Sequence, residues 1–317
     1  MTVTDWQERI ITVFGGGGFI GRYVCEALFK TGVRVRVAQR TPRDAFFLQP
    51  LAAVGQLDLV RSDFTRPDSL QAAVEGAWGV INLVGAFGGK LGALHGDGPG
   101  RIAELAARTG ASSLVHISAI GVSQDSASFY SRTKAEGEEK VRAAYPAATI
   151  IRPSVVFGQE DQFTNRFAAM SRLPLVPVLG GKTRFQPIYV RDLGAAIAKA
   201  AQEPGRFAGQ TFELGGPDVL TMNELNRLIG EAAGRKPELI DLPDFIGDAM
   251  SRLGFLPGMP ITRDQWIMLQ KDNVASGPGL AAFGIQPTPL AAVAPDWLDR
   301  FNEGGRFASR RAQASAG

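Results

Sequence analysis

The chain has 317 residues, 45% hydrophobic and 21% charged, and its 34 basic and 31 acidic side chains leave a formal charge of +3. That near balance, with no basic stripe interleaved with aromatics, excludes a nucleic-acid binder. Two histidines (His95, His116) and the lone Cys25 exclude a zinc cage or a disulfide framework, and a single cysteine fits a reducing compartment.

The first apolar run, "IITVF" over 10–14, has the β-branched continuity of a strand buried on both faces. It leads straight into glycine, so no signal peptide is expected, and no apolar stretch nears the roughly 20 residues of a membrane-spanning helix. Residues 15–18 are all glycine, and Gly15, Gly18 and Gly21 form G-x-x-G-x-x-G, with Gly16 also fitting G-x-G-x-x-G. In "GRYVCEALFKTG" Val24, Ala27 and Leu28 then fall at helix spacing with Gly32 a plausible stop, and Phe19 and Ile20, between Gly18 and Gly21, count with the glycines as candidate cofactor-binding residues. Bare backbone between a strand and a helix N-terminus suits a dinucleotide pyrophosphate. The glycine pattern alone is weak, and the strand–turn–helix context carries the inference.

The second strand, "VRVRVAQR", ends at Arg40, where an NAD site places an acidic residue. Arginine suits the 2′-phosphate of NADP instead, with Arg43 in support, so NADP(H) is expected over NAD(H). The alternative is a solvated arginine at a strand end. The strand–helix beat then repeats through 151–157 and predicts an α/β fold, a doubly wound parallel sheet with ligands at the strands' carboxyl ends. At those ends lie Asp63 and Phe64, Val84 and Gly85, Ser118, and Pro153, Val155 and Val156.

After the fifth strand, "FYSRTKAEGEEK" sets Tyr130 and Lys134 one helical turn apart, on one face. A lysine ammonium beside a phenol, with an oxidised nicotinamide, favours the phenolate and makes an acid–base of it. The bland reading is a surface i,i+4 pair.

The glycine turn, the Y-x-x-x-K helix, "RPSVVFGQED" and "FQPIYVRDLGAAIAKAA" resemble the extended short-chain dehydrogenases/reductases over essentially the whole chain. The resemblance implies a Rossmann domain over 1–157 plus 187–204. It also implies a smaller α/β lobe over 158–186 plus 205–305, of the kind that cups a substrate, and a flexible tail over 306–317. "IIRPSVVFGQEDQFTNRFA", "LGGKTRFQPIYVRDL", "ITRDQWIMLQKDNV" and "GIQPTPLAAVAPDWL" are similar to a narrower group. These are the bacterial relatives of the NADPH-binding, dehydrogenase-like accessory subunit of respiratory complex I (NADH:ubiquinone oxidoreductase).

That resemblance implies a non-catalytic or weakly catalytic accessory subunit, docked on the peripheral arm and lying on the cytoplasmic side of the inner membrane. The alternative is an active reductase, epimerase or dehydratase on a sugar-nucleotide, quinone or isoprenoid-like substrate. The catalytic set implied is Tyr130, Lys134 and a Ser or Thr that follows the serine closing the fifth strand. Here "VHISAIG" puts Ser118 at the strand end and Ala119 at the catalytic position, unless the register shifts by one and restores Ser118. Loss of such a donor costs on the order of 10²–10³ in rate. His95 falls where many active members carry Asn, and reads as a helix-end or packing residue.

In the smaller lobe, 244–268 carries Phe245, Ile246, Ala249, Met250 and Leu253 at helical spacing, then Phe255, Leu256, Met259, Trp266, Ile267 and Met268. Either this face packs on the lobe's own core, or it docks a protein or a membrane surface.

Overall fold

The computed structural model describes residues 6–64, 66–86, 89–254 and 261–302. The predicted tail over 306–317 lies outside them, as do Phe255, Leu256 and Met259. The chain divides into two compact units, the first of Met1–Pro153, Val190–Leu214 and Ala275–Gln286, the second of Ser154–Tyr189, Gly215–Val274 and Pro287–Gly317.

The first unit is built on β1 (Ile10–Phe14), β2 (Arg34–Gln39), β3 (Leu57–Arg61), β4 (Gly79–Asn82), β5 (Ser113–Ile117) and β6 (Thr149–Pro153). Strands β7 (Val156–Phe157), β8 (Leu175–Val178), β9 (Arg184–Phe185) and β10 (Ile188–Tyr189) belong to the second unit, and β11 (Thr211–Leu214) returns to the first. The sheet order is β11-β6-β5-β4-β1-β2-β3, every pairing parallel. Every residue of β4 and β5 is buried, including the polar Asn82, Ser113 and His116, so neither strand shows the in–out alternation of a half-exposed sheet. Winding starts at β1 and runs outward both ways, so the order reverses between β1 and β4. At such a switch point a crevice opens beyond the strand ends.

Helices α1 (Phe19–Phe29), α2 (Pro67–Val74), α3 (Gly98–Arg108), α4 (Phe129–Ala144) and α6 (Val190–Gln202) cover the sheet, while α5 (Phe163–Met170) belongs to the second unit. One core packs Phe14, Val80 and Leu114 against Leu70, Ile102 and Val141 from α2, α3 and α4. Glu26 of α1 holds Arg191 of α6 at 2.7 Å, beside the close approach of Gly194 to Tyr23.

The unit boundaries differ from the predicted ones. Residues 205–214, assigned to the smaller lobe from sequence, lie in the first unit because β11 pairs with β6 in register Thr211↔Ile150 to Leu214↔Pro153. Residues 275–286 join it through Phe283, which stacks on Phe207 at 4.6 Å. Conversely, 154–157 and 187–189 belong to the second unit, where β7 pairs with β10. The core of the second unit gathers Phe157, Leu225, Ile229, Trp297 and Leu298, with Phe157, Tyr189 and Trp297 mutually stacked.

One tight constraint in the first unit lies where α1 crosses the end of β1. Gly15 has φ +79°, which side chains rarely tolerate, and its N–H donates to the Ala38 carbonyl at 3.1 Å. A Cβ on Gly21 would stand 2.4 Å from the Gly15 carbonyl oxygen and 2.6 Å from Gly16 Cα, both backbone atoms with nowhere to move. Gly21→Ala is therefore expected to destabilise the first unit by about 1–3 kcal/mol, measured by denaturant unfolding.

Candidate functional site

The site starts from the N-terminus of α1. Gly18 caps it with extended backbone and no side-chain bond, and the first turn carries no acidic residue. The helix thus presents free-standing polarity of the sign that attracts phosphate. Gly15 lies against Val84, whose N–H is held by the Asn82 side chain at 3.1 Å, so the turns after β1 and β4 share one edge of the site. The glycine turn therefore fits a diphosphate: Gly15 holds a positive φ that side chains rarely adopt, and Gly21 lets the helix N-terminus close onto the end of β1.

Along the β2 side, Arg40 and Arg43 are exposed, Arg40 just past the strand and Arg43 in the first turn of the 3-10 segment Pro42–Leu51. Sequence reasoning missed Gln39, the last residue of β2, whose carboxamide oxygen accepts the Gly17 N–H at 3.0 Å and whose nitrogen donates to the Thr41 carbonyl. It ties the glycine turn to the arginine segment. Asp63 and Phe64 follow β3, where the Asp63 N–H donates to Ser69 Oγ and the Phe64 ring packs on Phe14. Pro153 closes β6, whereas Val155 and Val156 fall in the second unit, where the Val155 N–H is already taken by Asn273.

Helix α4 supplies Tyr130 and Lys134. Ser128 caps it, its hydroxyl accepting the Ser131 N–H. Lys134 is buried, 4% exposed, and spends one of its three donors on the Ile117 carbonyl at 3.0 Å. A Cβ at Gly85 would lie 3.5 Å from Lys134 Nζ and 3.8 Å from His95 Nε2, so the turn after β4 passes directly over both.

His95, read from sequence as a helix-end or packing residue, enters the site itself. It sits in the π-helical turn Gly92–Asp97, fully buried, with its ring edge-on to Tyr130 at 5.1 Å. Its Nε2 accepts the Ala86 N–H at 3.0 Å, which places the proton of the neutral ring on Nδ1, facing Thr133 Oγ1 at 3.4 Å. Burial, then the Lys134 charge, push its pKa down to about 3, so it stays neutral. The turn reaches α4 because residue 137 is glycine, where a Cβ would strike the His95 carbonyl. Gly137 was the signal in the sequence for this contact.

Burial raises Tyr130 to about 12, so the phenol keeps its proton at neutral pH. Burial lowers Lys134 to about 8, against the pull of Glu138. Ser118 is buried, its hydroxyl lying against the Glu138 carboxylate without reaching hydrogen-bond geometry, and the next residue, Ala119, is partly exposed. The side chain assigned from sequence to a substrate thus faces the interior of the unit.

In the second unit, Trp266 of the stretch 244–268 is buried against Gly247, while Phe245 on helix Asp244–Arg252 and Leu253 at its C-terminal end are 72% and 49% exposed. The predicted stretch therefore splits into a core residue and an outward stripe. Among the described residues no helix is long and apolar enough to cross a membrane, and no cluster of metal-binding side chains occurs.

A parallel sheet wound outward from a glycine turn, with a tyrosine–lysine pair on the helix after β5, defines a nucleotide-binding α/β protein of the dehydrogenase type. The chain belongs to the NAD dependent epimerase/dehydratase family, whose model matches residues 11–215. It is 35% identical over 302 residues to NADH dehydrogenase (ubiquinone) 1 alpha subcomplex subunit 9, mitochondrial, of Rattus norvegicus, across 92% of this chain and 80% of that one. The Arabidopsis thaliana protein of the same name is 36% identical over 93% of this chain and 79% of its own. A ceramide reductase of Caulobacter vibrioides is 31% identical over 242 residues, 74% of each chain. Among solved structures, the NADPH-dependent quinone oxidoreductase of Escherichia coli complexed with NADPH superposes with a TM-score of 0.74 at 19% identity, over 91% of this chain and all of that one. At that identity the match speaks for the fold alone.

The Lys134 shift has a stability consequence. Between pH 8 and 10.5 the unfolded chain holds a proton on this lysine that the folded chain has released, so stability rises with pH across that window. Below pH 8 both states are protonated and the burial cost is felt in full. Tyr130 acts oppositely from pH 10 to about 12, where the unfolded phenol ionises first. Denaturant melts of nucleotide-free protein at pH 7.5 and 9.5 are expected to show a gain in the wild type that Lys134→Met lacks.

Proposed function

We propose that this chain is an NADP(H)-holding, dehydrogenase-like accessory subunit of an NADH:quinone oxidoreductase. The observation that carries the reading is the 35% identity to the rat subunit across nearly the whole chain and four-fifths of that protein. The site supports it: Ser118 faces Glu138 and Ala119 follows it, so the donor that would polarise a substrate is missing from the place the family uses. What remains is a set of holding groups. The glycine turn and the α1 N-terminus take the diphosphate, Arg40 and Arg43 the 2′-phosphate, and Lys134 the nicotinamide ribose. A ligand bound only by the folded chain adds about 4 kcal/mol when present at 1,000 times its Kd, so nucleotide here is a structural part. The exposed stripe of Phe245 and Leu253 is the face we assign to docking.

A second reading is favoured by the ceramide reductase relative and the intact Tyr130–Lys134 pair: a working reductase. NADPH would supply the hydride, Tyr130 would give its proton to the substrate oxygen, and Lys134 would hold the phenol oriented. His95, locked neutral on Ala86, cannot relay a proton at ordinary pH without breaking that bond.

Gentle solubilisation of native membranes, followed by size separation, distinguishes the two. The subunit reading expects the chain to travel with NADH:quinone reductase activity. A chain that runs alone and turns over NADPH, losing that turnover in Tyr130→Phe, overturns it in favour of the reductase. Nucleotide choice is tested separately. Arg40→Asp is expected to weaken NADP+ by about tenfold or more while sparing NAD+, read by isothermal titration. Equal losses for both would remove Arg40 from 2′-phosphate recognition.

A further inference from the structure

One face of α4 carries Tyr130, Lys134, Glu138 and Arg142, each four residues from the last. The two middle members are buried, Lys134 4% and Glu138 1% exposed, an arrangement tolerated only when such charges answer one another. Glu138 is gripped from β6 by Arg152 through two bonds, Nε to Oε1 at 2.8 Å and Nη2 to Oε2 at 2.7 Å. Arg142 Nη2 adds a contact at 3.1 Å and itself donates to Thr211 Oγ1 on β11. Glu213 of β11 stands 3.7 Å from Arg152, and Ser276 donates to Glu213 through both its N–H and its hydroxyl. A line of polar and charged side chains thus runs from Tyr130 along α4 to the edge strand β11, buried at Lys134 and Glu138 and reaching solvent at Arg142.

We propose that Glu138 is a positioning residue for the nucleotide site: its carboxylate, pinned one turn below Lys134, keeps that lysine charged and so able to grip the nucleotide ribose. The inference rests on the nucleotide-holding role given to Lys134 above. The geometry leaves few other candidates. Lys134 faces His95 from the π-helical turn and His116 from β5, with Tyr130, Glu138 and Arg142 on its own helix and Arg152 and Glu213 beyond. Both imidazoles are driven neutral by burial and by the Lys134 charge itself. Asn82 bonds His116 Nδ1 at 3.2 Å, and His116 Nε2 is buried without a partner. Neither ring offers Lys134 a negative charge.

Glu138 does, and it stays ionised: burial would raise its pKa, but the bonds from Arg152 and the charges of Arg152 and Arg142 outweigh burial and lower it. Arg152 and Arg142 hold the carboxylate, and Lys134, bonded to the Ile117 carbonyl, feels its charge from one turn away. Ser118, lying against the same carboxylate, belongs to this line rather than to a substrate.

The test is direct titration of Lys134 in nucleotide-free protein, followed by its ε-carbon signal in 13C-lysine NMR and assigned by its loss in Lys134→Met. Glu138→Gln, which keeps the shape and removes the charge while setting an NH2 where one oxygen accepted from the arginines, is expected to move the midpoint down by about one to two pH units, the size of losing one nearby buried charge. Its NADP+ affinity at pH 7.5 is expected to fall about tenfold, as for a lost charged hydrogen bond. A midpoint that stays within roughly 0.3 unit overturns the Glu138 link. A midpoint that moves while affinity holds overturns the ribose-gripping role of Lys134 instead, so the two failures are distinguishable. Should Glu138→Gln not fold, Arg142→Gln carries the test with opposite sign. Taking one cation from the carboxylate raises the Lys134 midpoint, and an unmoved midpoint there overturns the link equally.

Discussion

Everything at the nucleotide site depends on two backbones touching. The carbonyl of Gly15 and the Cα of Gly16 lie where a side chain at residue 21 would be, which brings the N-terminus of α1 down onto the end of β1. Only then does the uncapped first turn of that helix face the crevice opened by the reversal of strand order between β1 and β4. A diphosphate held there would meet backbone groups already in place, so little would be spent on reorganisation when it arrives. The conformational cost of a glycine-rich turn is the same cost seen from the unfolded chain.

The second organising feature is the way α4 divides its labour along its length. Its first two turns, capped by Ser128, carry Tyr130 and Lys134 beside His95 and the turn after β4, and its middle turn buries Glu138 under Arg152 and Arg142. A buried ion pair contributes little net stability, since desolvation offsets most of the attraction, but removing one member leaves the other stranded. That asymmetry ties the integrity of the sheet edge, through β6 and β11, to the charge state of a lysine at the other end of the helix. It also explains what became of the serine after β5. With the carboxylate beside it, Ser118 is absorbed into the interior, and the exposed position falls to Ala119.

Much of this was legible in the sequence, for identifiable reasons. Strand β1 is buried on both faces and so reads as an apolar run, and the glycine turn and Y-x-x-x-K helix sit at fixed places in the strand–helix beat that follows it. Features made by distant residues were not legible. The return of 205–214 and 275–286 to the first unit depends on β11 pairing with β6 and on Phe283 stacking on Phe207, and neither contact leaves a local pattern. His95 looked like a packing residue because nothing nearby in sequence shows that its ring meets Tyr130; Gly137, 42 residues on, is the trace of that contact. Glu138 and Arg142 were visible all along as continuations of the Tyr130–Lys134 spacing. Their partner Arg152, on another element, is what gives them meaning.

The claim on which the rest stands is that this chain holds NADP(H) as a resident part. The most direct measurement is to purify the protein without added nucleotide, denature it, and identify and count what it releases by chromatography. About one NADP(H) per chain is the expected result. A chain that purifies folded with no nucleotide, or with NAD(H) in its place, would contradict it.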